Sequence, residues 1–164
     1  MHEPADWNNW VATHAPALLL FARQQTRSEA DAQDVVQEAI VGSWARQSTG
    51  RPPPLSLVYC TIRRRAIDLA RSEQRRAKRE AGLEPGTAPA WFDSTLEDRE
   101  RGRLLQEIMS GLPEIYREVI TLKIWGGLTF AEIASALEIP ANTAASRYRY
   151  GLQELRKHSR EIFA

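Results

Sequence analysis

The sequence predicts an all-α protein of two small helical domains joined by a flexible linker, the C-terminal one a helix-turn-helix. Three observations lead there. Apolar residues recur at three- and four-residue spacing through most of 10–79 and again from about residue 96, which is the period of a helix with one buried face. The pattern breaks around GLEPGTAPAWFDST, where Gly82, Pro85, Gly86 and Pro89 argue against a continuous helix. The 164 residues suffice for two compact helical domains, and 43% hydrophobic residues with five Trp supply packed cores. The expected division is 1–79, a linker at 80–97 and 98–164.

The first helix is expected from Trp10 to about Arg27, with Trp10, Val11, Ala15, Leu18, Leu19 and Ala22 at helical spacing and Pro16 as a local bend. Ser28 then offers an N-cap, and Asp31 supports the first turn that follows. The second helix carries Val35, Val36, Ala39, Ile40, Ser43 and Trp44 on its inner stripe and leaves Asp34, Gln37 and Glu38 accessible. By itself such an acidic edge is the ordinary solvated side of a helix. QSTGRPPP at 47–54 ends that helix, because Gly50 permits unusual backbone angles and consecutive prolines deny continuation. A third helix starts at Pro54 or just after, with Leu55, Val58, Tyr59, Ile62, Ala66 and Leu69 inward. Cys60 lies in the apolar run LSLVYCTIRR and reads as a small buried hydrophobe.

Trp91 and Phe92 interrupt the linker composition and are expected to pack on a domain, with docking onto a partner as the other reading. Periodicity returns from Leu96 through Leu104, Leu105, Ile108, Met109 and Leu112. Pro113 is placed at the first position of the next helix, whose buried side is Ile115, Val119, Ile120 and Leu122, and Gly126–Gly127 breaks it. Thr129 opens TFAE, a capping box in which the Thr oxygen accepts the Glu132 amide while the Glu side chain reaches back. A turn at Glu138–Ile139–Pro140 precedes a last helix from Ala141 towards Lys157. Its inward stripe is Ala144, Tyr148, Leu152 and Leu155, and its outward positions include Asn142, Ala145, Ser146, Arg149, Gln153 and Arg156.

Charge is sorted along the chain. The net +1 hides −2 over 1–62, +6 over 63–79, −6 over 80–141 and +3 over 142–164. Two separated basic helices suggest two contacts with one long polyanion, for which DNA is the candidate, and leave acidic surface for another molecule. A helix-turn-helix whose second member is basic at its leading end can place that helix in a major groove. Catalysis finds no support: His2, His14 and His158 are scattered, Cys60 stands alone, and Gly126–Gly127 lacks the Gly-Lys-(Ser/Thr) of a phosphate-cradling loop. No catalytic, metal or cofactor-binding residues are expected. Nor is membrane insertion, since no apolar run approaches the ~20 residues of a span and the amino terminus lacks a secretory pattern; a cytoplasmic protein is the simplest reading.

LPEIYREVITLKIWGGLTFAEIASALEIPANTAASR at 112–147 and DAQDVVQEAIVGSWARQ at 31–47 together resemble bacterial sigma factors of the sigma-70 class, in particular the small extracytoplasmic-function (ECF) group built from sigma domains 2 and 4. IRRRAIDLAR at 62–71 resembles the family's helix for the minus-ten promoter element. The resemblance implies a transcription initiation factor that binds core RNA polymerase and directs it to promoter DNA. It implies polymerase contacts at Asp34, Gln37 and Glu38. Minus-ten contacts would come from Ser48 and Arg51, in a loop like the family's pocket for a flipped base, and from Arg63, Arg64, Arg65, Arg71, Arg75 and Arg76. Minus-thirty-five contacts would come from Asn142, Thr143, Ser146, Arg147 and Arg149, the two arginines holding phosphate or reading a guanine edge. A cognate anti-sigma protein, where one exists, would cover polymerase-binding surfaces of both domains and could hold the chain near the membrane.

The chain departs from the family pattern at three places. Arg64 stands where Asn is usual, Ala145 where Lys or Arg often precedes Ser-Arg, and Glu138 where Gly is frequent in the tight turn. Arg64 either alters promoter preference or makes that position mainly electrostatic, and Ala145 removes a phosphate contact. Glu138 either changes the entry angle of the last helix or is accommodated as a helix terminus. Together they leave promoter preference open. Two other functions fit the residues alone: a helix-turn-helix regulator using 1–80 for dimerisation or sensing, and an adaptor whose basic helices bind acidic proteins.

Overall fold

The structure, a computed structural model, describes residues 4–47, 50–79, 89–92 and 98–163, with side chains from residue 6 onward. Its described residues form seven helices: α1 Pro4–Gln25, α2 Glu29–Ala45, α3 Leu55–Arg79, α4 Arg99–Ser110, α5 Glu114–Ile124, α6 Phe130–Leu137 and α7 Ala141–Phe163. The chain divides into two compact units, Met1–Pro89 and Ala90–Ala164.

In the first unit α1, α2 and α3 pack on one another around Leu18, Phe21, Val58, Tyr59 and Ile62, all almost fully buried. Each such aliphatic or aromatic side chain withdrawn from water contributes roughly 1.5–3 kcal/mol. Phe21 meets Tyr59 edge to face at 5.4 Å, and burial pushes the Tyr59 phenol well above its ordinary pKa. α1 begins six residues earlier than the periodicity suggests, because Trp7 packs on Trp44 at 4.8 Å and extends the contact with α2. Pro16 lies within an uninterrupted helix, at an exposed position where the hydrogen bond it forfeits faces water.

The joint between α1 and α2 is tied twice. Arg23, 6% exposed, donates from Nε and Nη2 to the two carboxylate oxygens of Glu29 at 2.8 and 2.7 Å. Ser28 caps α2 by accepting from the Asp31 amide at 3.1 Å. All six residues expected on the inner stripe of α2 are buried, joined by Ala32. Along α3 the last buried residue is Ala66; beyond it the helix runs to Arg79 with its side chains exposed or half-buried. Cys60 is half-buried, not buried as its apolar surroundings suggest, because it sits on the flank of the stripe defined by Tyr59 and Ile62.

In the second unit α7 packs on α4, α5 and α6. Pro113 is the N-cap of α5 and not its first helical residue: its ψ of 141° is extended, and its carbonyl accepts the Tyr116 and Arg117 amides. Ile115, expected on the buried side of α5, is 44% exposed, and the core is carried by Val119, Ile120 and Leu122. Gly127 takes a φ of 67° in the turn that leads to Leu128. The capping box at Thr129 and Glu132 is complete, with both bonds near 3 Å. Leu96 lies outside the described residues.

Trp91 and Phe92 belong to this second unit although the sequence places them in the linker. The Trp91 amide donates to Gln106 Oε1 at 2.9 Å, the Arg117 guanidinium lies 5.2 Å over its ring, and Phe92 meets Trp125 at a tilt, ring centres 5.6 Å apart. Trp91 is 8% exposed, so the aromatic pair is part of the α4/α5 packing.

Candidate nucleic-acid interface

Asp34, Gln37 and Glu38 are all exposed on α2, but they face two different grooves. Asp34 and Glu38, one helical turn apart, line a hollow of about 350 Å³ between α2 and α3 together with Asp31, Asp68 and Arg65. Gln37 instead borders an apolar groove of about 340 Å³ between α1 and α2, lined by Trp7, Val11, Leu19, Val36 and Ile40. Val41, 55% exposed, lies at the same groove and is absent from the sequence-derived set.

α3 presents Arg64, Arg65, Arg71, Arg75 and Arg76 to solvent and Arg63 half-buried. Arg71, Arg75 and Lys78 line one surface hollow with Gln74 and Asp68, so cations outnumber the carboxylate there on the part of the helix beyond its packed anchor. Arg65 Nη1 donates to Glu38 Oε2 at 3.0 Å, back towards α2. Arg51 is exposed in the loop before α3, next to Gly50 at a φ of 73°; Ser48 lies outside the described residues.

α6 and α7 form the helix-turn-helix. Glu138 ends α6 in the left-handed conformation, φ 58° and ψ 46°, with its amide on the Ala134 carbonyl. The turn thus adopts, with Glu, the geometry that Gly takes without steric cost. Ala144 and Gly151 are the buried face of α7, where Gly151 is a position the expected inward stripe leaves out. Tyr148, Leu152 and Leu155 are half-buried. Opposite that face, Asn142, Ser146 and Arg149 fall within about 60° of one another around the helix, Asn142 and Arg149 exposed and Ser146 half-buried. Thr143 and Arg147 lie to one side, between this face and the buried one, and are half-buried. Tyr150, 49% exposed with the Arg149 guanidinium 5.1 Å over its ring, joins this surface without a signal in the periodicity.

An arrangement of arginines and small polar groups on two exposed helix faces can hold phosphates and reach base edges. Among the described residues, no group of three or more His, Cys, Asp or Glu is placed to hold a metal ion, and no helix is long and apolar enough to cross a membrane.

Comparison with known proteins follows the same division. Residues 10–76 match the family model of sigma-70 region 2, and residues 102–163 match that of sigma-70 region 4. The RNA polymerase sigma-E factor of Streptomyces coelicolor is 30% identical over 159 residues, covering 96% of this chain and 88% of that protein. The ECF RNA polymerase sigma factor SigK of Mycobacterium ulcerans is 30% identical over 131 residues, covering 76% and 70%. Among solved structures, the sigma factor RpoE bound to the anti-sigma factor NepR from Bartonella quintana superposes with a TM-score of 0.69 at 20% identity, over 94% of this chain and 97% of that one. CnrH in complex with the cytosolic domain of CnrY gives 0.62 at 22% identity, over 92% and 84%. At these identities the two structures speak for the fold. With a sigma-70 region in each half and a relative at 30% identity along nearly its whole length, the chain belongs to the sigma-70 family as an ECF sigma factor, a transcription initiation factor.

Proposed function

We propose that the two units divide the work of initiation by face. The acidic edge of α2, with Asp34, Gln37 and Glu38, docks on core RNA polymerase and brings α3 to the minus-ten region. There Arg51 and the α3 arginines hold the backbone of opening DNA, and stacking, hydrogen bonds and phosphate attraction offset an unpairing cost of a few kcal/mol. α7 enters the minus-thirty-five major groove, Asn142 and Ser146 towards base edges and Arg147 and Arg149 towards phosphates or a guanine edge. Polymerase carries out the nucleotide chemistry and this chain none.

The observation that supports this reading best is the separation of charge: exposed carboxylates on α2, exposed arginines on α3 beyond Ala66, and a polar, basic outer face on α7. An acidic edge repels a polyanion, so beside two basic DNA-facing surfaces it suits a protein partner. Both solved relatives are complexes with a second protein, in the first case one named as an anti-sigma factor. By analogy, an anti-sigma protein for this chain would cover the α2 edge and part of the second unit, in the cytoplasm or held near the membrane.

The test mixes purified protein, core RNA polymerase, a library of double-stranded promoters and nucleotides. Initiation from a defined subset of promoters is expected. Promoter binding without core association or transcripts would leave a helix-turn-helix regulator, and the absence of both salt-dependent DNA association and core association would leave an adaptor.

A further inference from the structure

Two residues assigned to different partners hold one another. Arg65 Nη1 donates to Glu38 Oε2 at 3.0 Å, and Nη2 of the same guanidinium lies 4.0 Å from where a Cβ on Gly42 would stand, one turn further along α2. The hydrogen bond to Glu38, with Gly42 nearby on the next turn, turns the guanidinium towards α2. Both side chains remain open to a partner, at 43% exposure for Arg65 and 58% for Glu38. Asp31, Asp34 and Asp68 line the same groove, and Arg65 is the one cation among its described lining residues.

We infer that Glu38 is a positioning residue for Arg65, which couples the polymerase surface to the DNA surface. While the α2 edge is open, Glu38 keeps the guanidinium on the protein. When a cation of the docked partner takes Glu38, Arg65 is released to a DNA phosphate, and the covered carboxylates no longer repel that phosphate. The inference rests on the assignment of α2 to polymerase and α3 to DNA made above. An exposed ion pair is weak, so the device tunes affinity by about two- to fivefold and does not switch it on or off. Coupling of this kind is reciprocal: the factor by which docking strengthens DNA binding is the factor by which DNA strengthens docking.

The experiment uses four full-length chains: native, Glu38→Gln, Arg65→Gln and the double variant, with far-ultraviolet circular dichroism to confirm their helices. Affinity for fluorescent single-stranded DNA of mixed sequence is measured by anisotropy at several salt concentrations, without polymerase. Glu38→Gln should tighten binding about two- to fivefold and steepen the salt dependence by about one phosphate contact. Arg65→Gln should cost roughly twofold or more beyond its cost in the native background once Glu38 is Gln. If Glu38→Gln tightens binding equally with and without Arg65, the carboxylate acts as bulk charge and the inference is overturned. Native and Arg65→Gln chains are then compared on core RNA polymerase, where the loss should match that seen in the Glu38→Gln background. Equal losses on and off polymerase would overturn the release. Failure of the native chain to bind core would instead overturn the assignment of α2, with the free-chain cycle still deciding whether Glu38 restrains Arg65.

Discussion

Gly151 and Ile120 meet where α7 lies on α5, so closely that a Cβ at position 151 would stand 2.9 Å from Ile120 Cδ1 and 3.1 Å from Tyr116 Cβ. Gly151 is buried in mid-helix, and Asn142, Ser146 and Arg149, proposed to face DNA, lie on the opposite side. This glycine is needed for close approach, since its backbone is that of an ordinary helix.

Gly151→Ala sets a helix-propensity gain of about 0.5–1 kcal/mol against an overpacking cost of about 1–3 kcal/mol. Ile120 is fully buried, and the Tyr116 Cβ moves only with its helix, so overpacking is expected to win. The second unit should lose about 1 kcal/mol in urea unfolding, and minus-thirty-five duplex affinity should fall as α7 is pushed outward.

Glu138 gives the opposite expectation. A non-glycine residue in the left-handed region costs about 1–2 kcal/mol, and Glu138 is exposed at φ 58°. Glu138→Gly should therefore stabilise the second unit by about 0.5–1 kcal/mol, less whatever the side chain contributes and the flexible unfolded chain takes back. The turn already has the geometry that Gly would adopt, so promoter preference should not change; a melting temperature below native would contradict this.

Arg23→Ala should destabilise the first unit by about 2 kcal/mol, because it removes a buried side chain and two charge-assisted hydrogen bonds. The hydrogen bond from Arg23 is the main reason that the Glu29 carboxyl titrates below its ordinary value of 4.5, with part of the effect opposed by burial. A depressed pKa gives stability that is present above pH 4.5 and is lost as pH falls through the lower folded value. The gap between native and Arg23→Ala chains, measured by urea midpoints, should therefore be constant near neutrality and narrow in acid. Glu29 is 42% exposed, so solvent screens the pair and the acid loss will be a fraction of the whole effect.

Much of this architecture is legible in sequence because it rests on local chemistry. Ser28, Thr129 and Glu132 announce helix starts by residue type, and the α2 stripe follows from a 3.6-residue period with long apolar runs. What escapes reading depends on which neighbour arrives. Trp91 sits in a segment rich in Gly and Pro, and it is neighbours distant in sequence, the Gln106 carbonyl and the Arg117 guanidinium among them, that make it part of a core. Ile115 has the right spacing and the wrong side, since the face of a one-turn start is decided by what packs there. Of the site, the exposed residues of α2, α3 and α7 were readable as faces. The bond between Arg65 and Glu38 spans 27 positions of sequence and needs the fold to bring them together.

The α7 residues should separate into two classes when each is replaced by Ala and tested across a promoter library. Loss of a base-edge contact at Asn142 or Ser146 should weaken a subset of promoters by about 1–3 kcal/mol. Loss of a phosphate contact at Arg147 or Arg149 should weaken all promoters together and reduce the salt dependence by about one contact. A uniform effect from Asn142→Ala would move it into the second class.

The most direct measurement of the central claim is the affinity of core RNA polymerase for the native chain beside the Asp34→Arg/Glu38→Arg chain, with transcript initiation read from the same mixtures. Reversing two charges at a docking edge is expected to weaken core binding by about a hundredfold and abolish initiation, while helical circular dichroism and binding to free DNA are kept or gained. Native core affinity in the reversed chain would contradict polymerase recruitment through α2.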